Sequence, residues 1–239
     1  MLKIFLSLSL SILFSSSAIA DEASVKEAIE AKFDGRKVTS VTKSPYLGLY
    51  EVFADGRIFY TDEEVTVIVA GQLFDTKNME NVTAERMQKL TAINFSDLPL
   101  DLAVKQVRGN GKQVFATFED PHCGYCKKLA KEMLVLNDVT IYTFLLPILS
   151  PDSLEKTKQI WCSADKAKTW REWIIDGKVP VAKTDCDTSA IQKTIELGQK
   201  LAISGVPAIF FADGTRIPGA APVAQIKAKL DQAQGNGGK

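Results

Sequence analysis

The chain has 239 residues, with 29 basic and 29 acidic side chains and a single histidine, so its formal charge at neutral pH is zero. This balance argues against nucleic acid as the main partner, because nucleic-acid-binding domains carry clustered positive charge. Beyond the N-terminus no segment approaches the roughly 18 uninterrupted apolar residues of a membrane-spanning helix. The length fits one large domain or two small ones.

Residues 1–20 have the pattern of a secretory signal peptide. Lys3 supplies the positive start, an apolar run interrupted only by serines follows, and Ala18 and Ala20 fit the small-x-small rule for cleavage after Ala20. A membrane anchor is the alternative, but the apolar run is short for one. We therefore expect an exported protein that begins at Asp21 and meets an oxidising environment, where disulfides persist.

Residues 21–81 are predicted to form a small α+β domain. A helix over residues 22–33, with Gly35 just past its end, precedes four strand candidates, and Asp55-Gly56 is a strong hairpin signal. The strand candidates are residues 37–42, 47–54, 57–61 and 65–70. Because the last strand is very apolar, it would be an aggregation hazard as a free edge. We expect it to pair with a second copy of the chain; the alternative is that it packs internally.

Residues 82–98 are predicted to be a linker helix. Thr83 is a good N-cap, and apolar residues then recur every three positions: Ala84, Met87, Leu90 and Ile93. Polar side chains fill the other faces, which is typical of an exposed spacer between two folded parts.

Residues 99–239 contain the chemical motif. A short apolar strand over residues 114–118 precedes Cys123-Gly124-Tyr125-Cys126, and a helical apolar stripe follows. Two cysteines at this spacing share the first turn of a helix, where free N–H groups and the helix dipole favour a thiolate. His122, when protonated, would add positive charge beside Cys123. A C-x-x-C can also be half of a zinc site, but its place between a strand and a helix favours redox chemistry.

Two further cysteines, Cys162 and Cys186, follow the motif. The local C-x-x-C geometry favours pairing of Cys123 with Cys126, which leaves Cys162 and Cys186 for a structural disulfide. A zinc site built from all four cysteines is the competing interpretation, although its second half lacks a paired spacing.

The remaining pattern predicts a thioredoxin-like layout with a helical insertion, which is an α/β (α+β) fold. The predicted elements are a strand over residues 140–146, a helix starting at Ser150-Pro151, a helical insert over residues 156–173 whose three tryptophans pack in the core, a helix over residues 190–202, a hairpin over residues 207–217 with a turn at Asp213-Gly214, a helix over residues 222–234, and a disordered glycine-rich end at residues 235–238.

Several motifs together resemble the periplasmic disulfide isomerases of the DsbC type, and the resemblance covers the whole mature chain. They are residues 123–126, 160–162, 185–187, 204–208 and 214–219. The resemblance implies a homodimer joined through the N-terminal domains, whose apolar cleft binds misfolded or mis-oxidised exported proteins in a chaperone-like way. It also implies a reduced site supplied with electrons by an inner-membrane thiol reductant of the DsbD type, and no metal or other cofactor.

The same resemblance assigns residues around the two cysteines. It makes Pro207 the cis-proline that faces them, and His122, Gly124, Tyr125 and Val206 the residues that shape the site. It also makes Cys162–Cys186 the second disulfide, which the sister DsbG type usually lacks.

Two departures from the family pattern concern the site. Val206 stands where the isomerases usually carry threonine before the cis-proline, as in the oxidase relative DsbA. Thr117 stands six residues before Cys123, where thioredoxin-like relatives often have a buried acid. Glu119 is then the candidate proton acceptor for Cys126, provided that its strand turns it inward.

The predicted activity is thiol–disulfide exchange, in which Cys123 attacks a substrate disulfide and Cys126 resolves the mixed disulfide. Two alternatives share the fold: a thiol oxidase, and a DsbG-like reductase of sulfenylated cysteines. A redox-silent protein that only binds unfolded chains is a third.

Overall fold

The computed structural model describes residues 22–33, 38–181 and 184–236, so the predicted signal peptide and Gly35 lie outside the described residues. The chain forms two compact units. One contains the residues up to Ala54 and Phe59–Ala70, and the other contains Asp55–Ile58 and Gly71–Lys239. In the described part of the chain no helix is both long and apolar enough to cross a membrane.

The first unit packs one helix against a small sheet. Its elements are α1 (Glu22–Lys32), β1 (Val38–Lys43), β2 (Tyr50–Ala54), β3 (Arg57–Thr61) and β4 (Ile68–Val69), and the strands lie in the order β1-β2-β3-β4. Val25 and Ile29 of α1 are fully buried against the sheet. Asp55 and Gly56 both have positive φ angles, as a tight hairpin turn between twisted strands requires.

Strand β4 is much shorter than the predicted strand over residues 65–70. Val65 has a positive φ of 54°, and the Asp62 carboxylate accepts hydrogen bonds from the backbone N–H groups of Thr66 (2.7 Å) and Val67 (3.1 Å). The chain therefore turns there, and pairing with β3 begins only at Ile68.

A short hairpin and a helix open the second unit: β5 (Phe74–Asp75), β6 (Glu80–Asn81) and α2 (Val82–Leu90). The prediction of Thr83 as the N-cap is wrong. Asn81 caps the helix by accepting from the Ala84 N–H (3.0 Å), while the Thr83 hydroxyl accepts from the Leu73 N–H (2.8 Å). The prediction of a linker helix over residues 82–98 is wrong beyond Leu90, where α2 ends. Two 3-10 turns, Phe95–Asp97 and Leu100–Leu102, continue the chain.

A five-stranded sheet in the order β11-β10-β8-β9-β7 forms the centre of the second unit. Its strands are β7 (Val104–Val107), β8 (Gln113–Glu119), β9 (Val139–Leu145), β10 (Ala208–Phe211) and β11 (Arg216–Pro218), and β7 was not predicted. Strands β8 and β9 are parallel, and the other pairs are antiparallel.

Five helices surround this sheet: α3 (Gly124–Glu132), α4 (Pro151–Trp161), α5 (Lys166–Asp176), α6 (Ser189–Lys200) and α7 (Val223–Asn236). One face buries Phe115 and Phe211 under α3 and α7, and the other buries Phe118 and Phe210 near α6. The central strand β8 thus runs from the core directly into the C-x-x-C segment.

The predicted helix over residues 156–173 is wrong, because α4 and α5 are separate helices. The Asp165 carboxylate caps α5 by accepting from the Lys168 N–H at 2.9 Å, which starts a new helix after Cys162. Trp170 and Trp173 are buried as predicted, but Trp161 is only partly buried.

Helix α7 runs to Asn236, so the prediction of disorder is wrong for Gly235 and Asn236. The rest of the predicted disordered end, Gly237 and Gly238, lies outside the described residues.

Candidate functional site

Cys123 is the N-cap of α3, and its sulfur accepts a hydrogen bond from the Cys126 N–H at 3.1 Å. Both cysteines are free thiols, and both are buried. The sulfur thus lies at the positive end of the helix, with an N–H group directed at it. Strand β8 and helix α3 therefore place the Cys123 sulfur at the start of the helix and Cys126 one turn further on.

The carboxylate of Asp120 holds the segment that leads to Cys123. It is fully buried and accepts four hydrogen bonds, from the His122 N–H (2.8 Å), the Ile148 N–H (2.9 Å), the Leu149 N–H (3.0 Å) and the Ser153 hydroxyl (2.8 Å). These donors tie the active-site segment to the loop after β9 and to the start of α4. Sequence reasoning missed Asp120, because three of its four partners lie 28 or more residues away.

The loop before β10 faces the two cysteines. The Val206–Pro207 peptide bond is cis, and the Cys123 thiol lies 3.5 Å from the Val206 carbonyl oxygen. The side chain of Val206 packs against a buried cluster that contains Cys123 and Cys126. The cis-proline loop and the C-x-x-C thus meet as the sequence resemblance implied.

Arg216 on β11 supports this loop. Its guanidinium is buried and donates to the carbonyl of Leu201, the C-cap of α6, at 2.8 Å. A cation at the C-terminal end of a helix satisfies its free carbonyl groups and complements its dipole. The segment that leads from α6 to Pro207 is therefore anchored to the sheet.

Glu119, at the end of β8, is directed inward. Its carboxyl group is 1% exposed, and it accepts from the Thr117 hydroxyl at 2.7 Å, while Oε2 has no hydrogen-bond partner among the described residues. Burial raises the pKa of Glu119 to about 7, against the opposing effect of the Thr117 bond. Glu119 can therefore exist with or without a proton near neutral pH.

The thiol of Cys126 lies close to this carboxyl group. Burial raises the pKa of Cys126 strongly, and the negative charge of Glu119 raises it further. A neutral thiol at Cys126 beside a titratable carboxyl is suited to transfer of a proton between them.

His122 and Trp173 contact each other beside the segment that leads to Cys123. His122 Nε2 lies 2.6 Å from the Asp152 carboxylate, and the His122 ring meets the Trp173 ring edge-on, with centroids 5.5 Å apart. The Trp173 indole N–H donates to the Pro121 carbonyl at 2.8 Å. Sequence analysis singled out His122 but gave Trp173 only a core role.

Tyr125 and Gly124, the two residues between the cysteines, are exposed. The side chain of Tyr125 is 71% exposed, and no atom lies within 4 Å of where a Cβ at Gly124 would stand. This part of the motif is thus open to a bound polypeptide.

Cys162 and Cys186 form a disulfide, with an S–S distance of 2.01 Å and a Cα–Cα distance of 5.5 Å. Because this bond occupies both sulfurs, they do not serve as ligands in a four-cysteine zinc site. The Trp161 indole N–H donates to the Asp187 carbonyl at 3.2 Å and so bridges the two segments a second time.

A C-x-x-C that caps a helix after the central strand of such a sheet, opposite a cis-proline, defines a thioredoxin-like domain. The sequence accordingly matches the thioredoxin-like domain family over residues 100–234, and residues 16–84 match the disulfide bond isomerase protein N-terminal domain. The chain belongs to the DsbC family of thiol:disulfide interchange proteins.

Similar proteins support this assignment. The chain is 46% identical over 206 residues to the probable thiol:disulfide interchange protein DsbC of Bordetella parapertussis, which covers 86% of this chain and 73% of the relative. It is 30% identical over 238 residues to the thiol:disulfide interchange protein DsbC of Escherichia coli, covering 98% of each. A crystal structure of a disulfide interchange protein from Neisseria gonorrhoeae has 39% identity and a TM-score of 0.55, covering 57% of this chain and 99% of that one.

Proposed function

We propose that this protein is a periplasmic disulfide isomerase and reductase, which rearranges incorrect disulfides in exported proteins and binds their unfolded chains. The observation that carries the proposal is the Cys123 thiol at the N-cap of α3, which is directed at the Val206 carbonyl oxygen and lies next to the more deeply placed Cys126. In the proposed cycle Cys123 acts first, because the helix N-terminus stabilises its thiolate.

The first step is attack of the Cys123 thiolate on one sulfur of a substrate disulfide. A bond forms between Cys123 and that sulfur, the substrate bond breaks, and the other substrate sulfur leaves as a thiolate. If a substrate thiolate then attacks the mixed disulfide, the substrate leaves with a new pairing and the protein is reduced again. This outcome is isomerisation, and it consumes no electrons.

The second outcome is reduction. Cys126 attacks the Cys123 sulfur, the substrate leaves as a dithiol, and a Cys123–Cys126 disulfide remains. Glu119 is the acceptor for the proton that Cys126 must lose, since its unpartnered oxygen is buried near this thiol. The cycle then needs two electrons from a thiol reductant, which we propose is an inner-membrane protein of the DsbD type.

The N-terminal unit is proposed to form a homodimer. Strand β4 lies at the edge of its sheet, and Val67, Ile68 and Val69 are 52%, 43% and 43% exposed. Exposed apolar residues on an open edge favour pairing with another strand. The match to the isomerase N-terminal domain supports the same assignment.

The proposed domain organisation has a signal peptide cleaved after Ala20, a dimerisation domain over residues 21–81, a linker over residues 82–98 and a catalytic domain over residues 99–239. N-terminal sequencing of the exported protein tests the cleavage. A fragment that begins at Ser96 should be monomeric in sedimentation, should still reduce insulin and should refold scrambled ribonuclease poorly.

The central experiment traps the mixed disulfide. In Cys126→Ser nothing resolves the bond from Cys123 to the substrate, so disulfide-linked complexes should accumulate on non-reducing gels. Cys123→Ser is the matched control and should form none and lose all exchange activity. Accumulation in Cys123→Ser instead would reverse the two roles, and no complex in either variant would contradict the proposal.

The oxidation state in the cell separates the isomerase from an oxidase. Thiol trapping of the protein taken directly from cells should find Cys123 and Cys126 reduced, because only a thiolate can start isomerisation. A predominantly oxidised pair would favour the thiol oxidase instead.

A further inference from the structure

Two lysines from different helices contact one tryptophan beside Cys123. The Lys127 ammonium of α3 lies 5.1 Å from the centroid of the Trp173 ring, and the Lys156 ammonium of α4 lies 5.0 Å from it. Both distances are within the range of a cation–π interaction. Trp173 itself is on α5, so three helices bring two positive charges to one buried ring.

The position of this cluster relative to Cys123 is fixed. Trp173 donates to the carbonyl of Pro121, two residues before Cys123, and the Lys127 N–H donates to the Cys123 carbonyl at 3.0 Å. Lys127 thus lies one helical turn after Cys123, on the same helix. A polypeptide with its sulfur at Cys123 has neighbouring residues within reach of these ammonium groups.

Neither ammonium is paired with a carboxylate in the described part of the chain. Lys156 is 9% exposed, and its only hydrogen bond there is to the Gln159 side-chain oxygen at 3.1 Å. Burial of an ammonium group is costly unless it is compensated, and a ring and a neutral amide compensate only part of the charge. The cluster retains positive charge that an incoming anion could neutralise.

Three carboxylates of the site already have partners. Asp152 contacts His122, and Asp120 accepts four hydrogen bonds. Glu119 is buried below the cysteines, with one oxygen bonded to Thr117. None of these carboxylates lies within 4 Å of Lys127 or Lys156.

We propose that Lys127 and Lys156, held on Trp173, form a subsite that favours substrates with a carboxylate side chain close to the cysteine under attack. This inference rests on the proposed exchange activity and adds a preference for acidic segments among its substrates. Charge complementarity carries it: the subsite offers two fixed cations, and the partner chemistry that fits them is an Asp or Glu side chain of a polypeptide.

The test uses the reduced full-length protein and three short peptides of one length. Each peptide has a single cysteine in a mixed disulfide with the coloured thiol 2-nitro-5-thiobenzoate, flanked by two Glu, two Gln or two Lys residues. When Cys123 attacks the peptide sulfur, a bond forms between these sulfurs and the coloured thiolate leaves. The rate of its release gives a second-order rate constant for each peptide.

We expect the Glu peptide to react about fivefold faster than the Gln peptide at low ionic strength, which corresponds to about 1 kcal/mol. The Lys peptide should react more slowly than either, because like charges repel. The preference should fall as salt is added, because the Debye length shortens. Lys127→Gln and Lys156→Gln should each reduce the Glu-to-Gln ratio, and the double variant should bring it close to one.

Lys131→Gln is the matched control, because Lys131 is exposed on α3 and lies outside the Trp173 cluster. It removes one positive charge from the same helix and should keep the wild-type ratio. Lys127 is only partly buried, so its variant should fold even if Lys156→Gln does not.

The experiment distinguishes failure of the proposed exchange activity from failure of the proposed subsite. If the wild type reacts with none of the peptides, the proposed exchange activity is contradicted. Equal rates for the three peptides at low salt would overturn the subsite alone, and so would a preference that survives in the double variant or disappears in Lys131→Gln.

Discussion

The second unit contains two cysteine pairs in opposite surroundings. Cys123 and Cys126 are free thiols on one helical turn, buried in an apolar cluster with the carboxyl group of Glu119 near Cys126. Cys162 and Cys186 are joined, and Cys186 is exposed on a segment that precedes α6. The buried pair is the one assigned to chemistry, and the exposed pair is the one assigned to stability.

This difference shows that exposure alone does not define a reactive cysteine. Cys123 has a helix N-terminus and an N–H group directed at its sulfur, Cys126 has a neighbouring carboxyl group, and Asp120 fixes the segment that carries them. The Cys162–Cys186 disulfide has a tryptophan bridge, and among the described residues it has neither a helix N–H nor a buried carboxyl group directed at its sulfurs. In the proposed mechanism these surroundings, and not exposure, distinguish the reactive pair from the structural one.

The largest effect is expected from Asp120→Ala, which tests whether the active-site pair depends on its network. Three backbone N–H groups and one hydroxyl would lose their acceptor, so the free energy of unfolding should fall by about 4 kcal/mol. Urea denaturation measures this loss. Asp165→Ala, which removes only the N-cap of α5, is the control and should cost about 1 kcal/mol. Equal losses in the two variants would contradict the special role of Asp120.

Removal of the Cys162–Cys186 disulfide tests whether this bond is structural. The double variant Cys162→Ala with Cys186→Ala should lose roughly 3 to 3.5 kcal/mol of stability, because the cross-link no longer restricts the unfolded chain. Its exchange rate per folded molecule should stay within about twofold of the wild type. A tenfold loss of exchange in a variant that is still folded would mean that the two pairs are not independent.

The buried carboxyl group of Glu119 should make the stability of the protein depend on pH. Folding raises the pKa of Glu119 from 4.5 to about 7, so the native state keeps a proton that the unfolded state releases in this range. Stability should therefore fall as pH rises from 4.5 to 7, by at most about 3 kcal/mol. In Glu119→Gln this loss should disappear, and the variant should be more stable than the wild type at pH 8.

Urea denaturation at pH 5 and pH 8 measures this effect, with the exposed Glu155→Gln as the control. The activity of Glu119→Gln should change in the opposite direction to its stability. Without Glu119 as its proton acceptor, Cys126 should resolve mixed disulfides more slowly. The mixed disulfides should therefore persist longer after a pulse of substrate. Unchanged pH dependence together with unchanged resolution would contradict the role of Glu119.

The smallest effect is expected from Val206→Thr, which adds a hydroxyl near the active pair and leaves the disulfide pair untouched. A hydrogen bond from this hydroxyl to the Cys123 thiolate would stabilise the reduced form. The protein should become more oxidising, with a change of tenfold or less in its equilibrium constant with glutathione. Val206→Ala controls for the loss of the valine side chain. An equal change in the equilibrium constant of that variant would show that the hydroxyl is irrelevant.

Sequence patterns correctly predicted features that depend only on residues close together in the sequence. The helix start at Ser150-Pro151, the turns at Asp55-Gly56 and Asp213-Gly214, and the position of Cys123 at a helix start all follow from local chemistry. Asn81 and Thr83 are both good caps; the helix uses Asn81, while the Thr83 hydroxyl is bonded to the distant Leu73 N–H. Local pattern could not make that choice.

Local sequence patterns could not predict the polar network of the site either, because its members come from distant parts of the chain. Asp120 finds its partners on a loop and a helix from elsewhere in the chain, and Trp173 meets Lys127 and Lys156 only after three helices have packed. The apolar pattern predicted that Trp173 is buried, but it could not show which groups surround the ring. The family resemblance supplied the facing cis-proline, which no spacing rule would have predicted.

The contact between Trp173 and His122 gives the protein a built-in optical reporter. Indole fluorescence responds to nearby charges and sulfur atoms, and this ring lies against the residue that precedes Cys123. Trp170 belongs to the same buried cluster and Trp161 is partly exposed, so Trp161→Phe with Trp170→Phe would isolate the signal of Trp173. Changes at the reactive sulfur could then be followed in real time, without an added dye and at concentrations far below those that gels require.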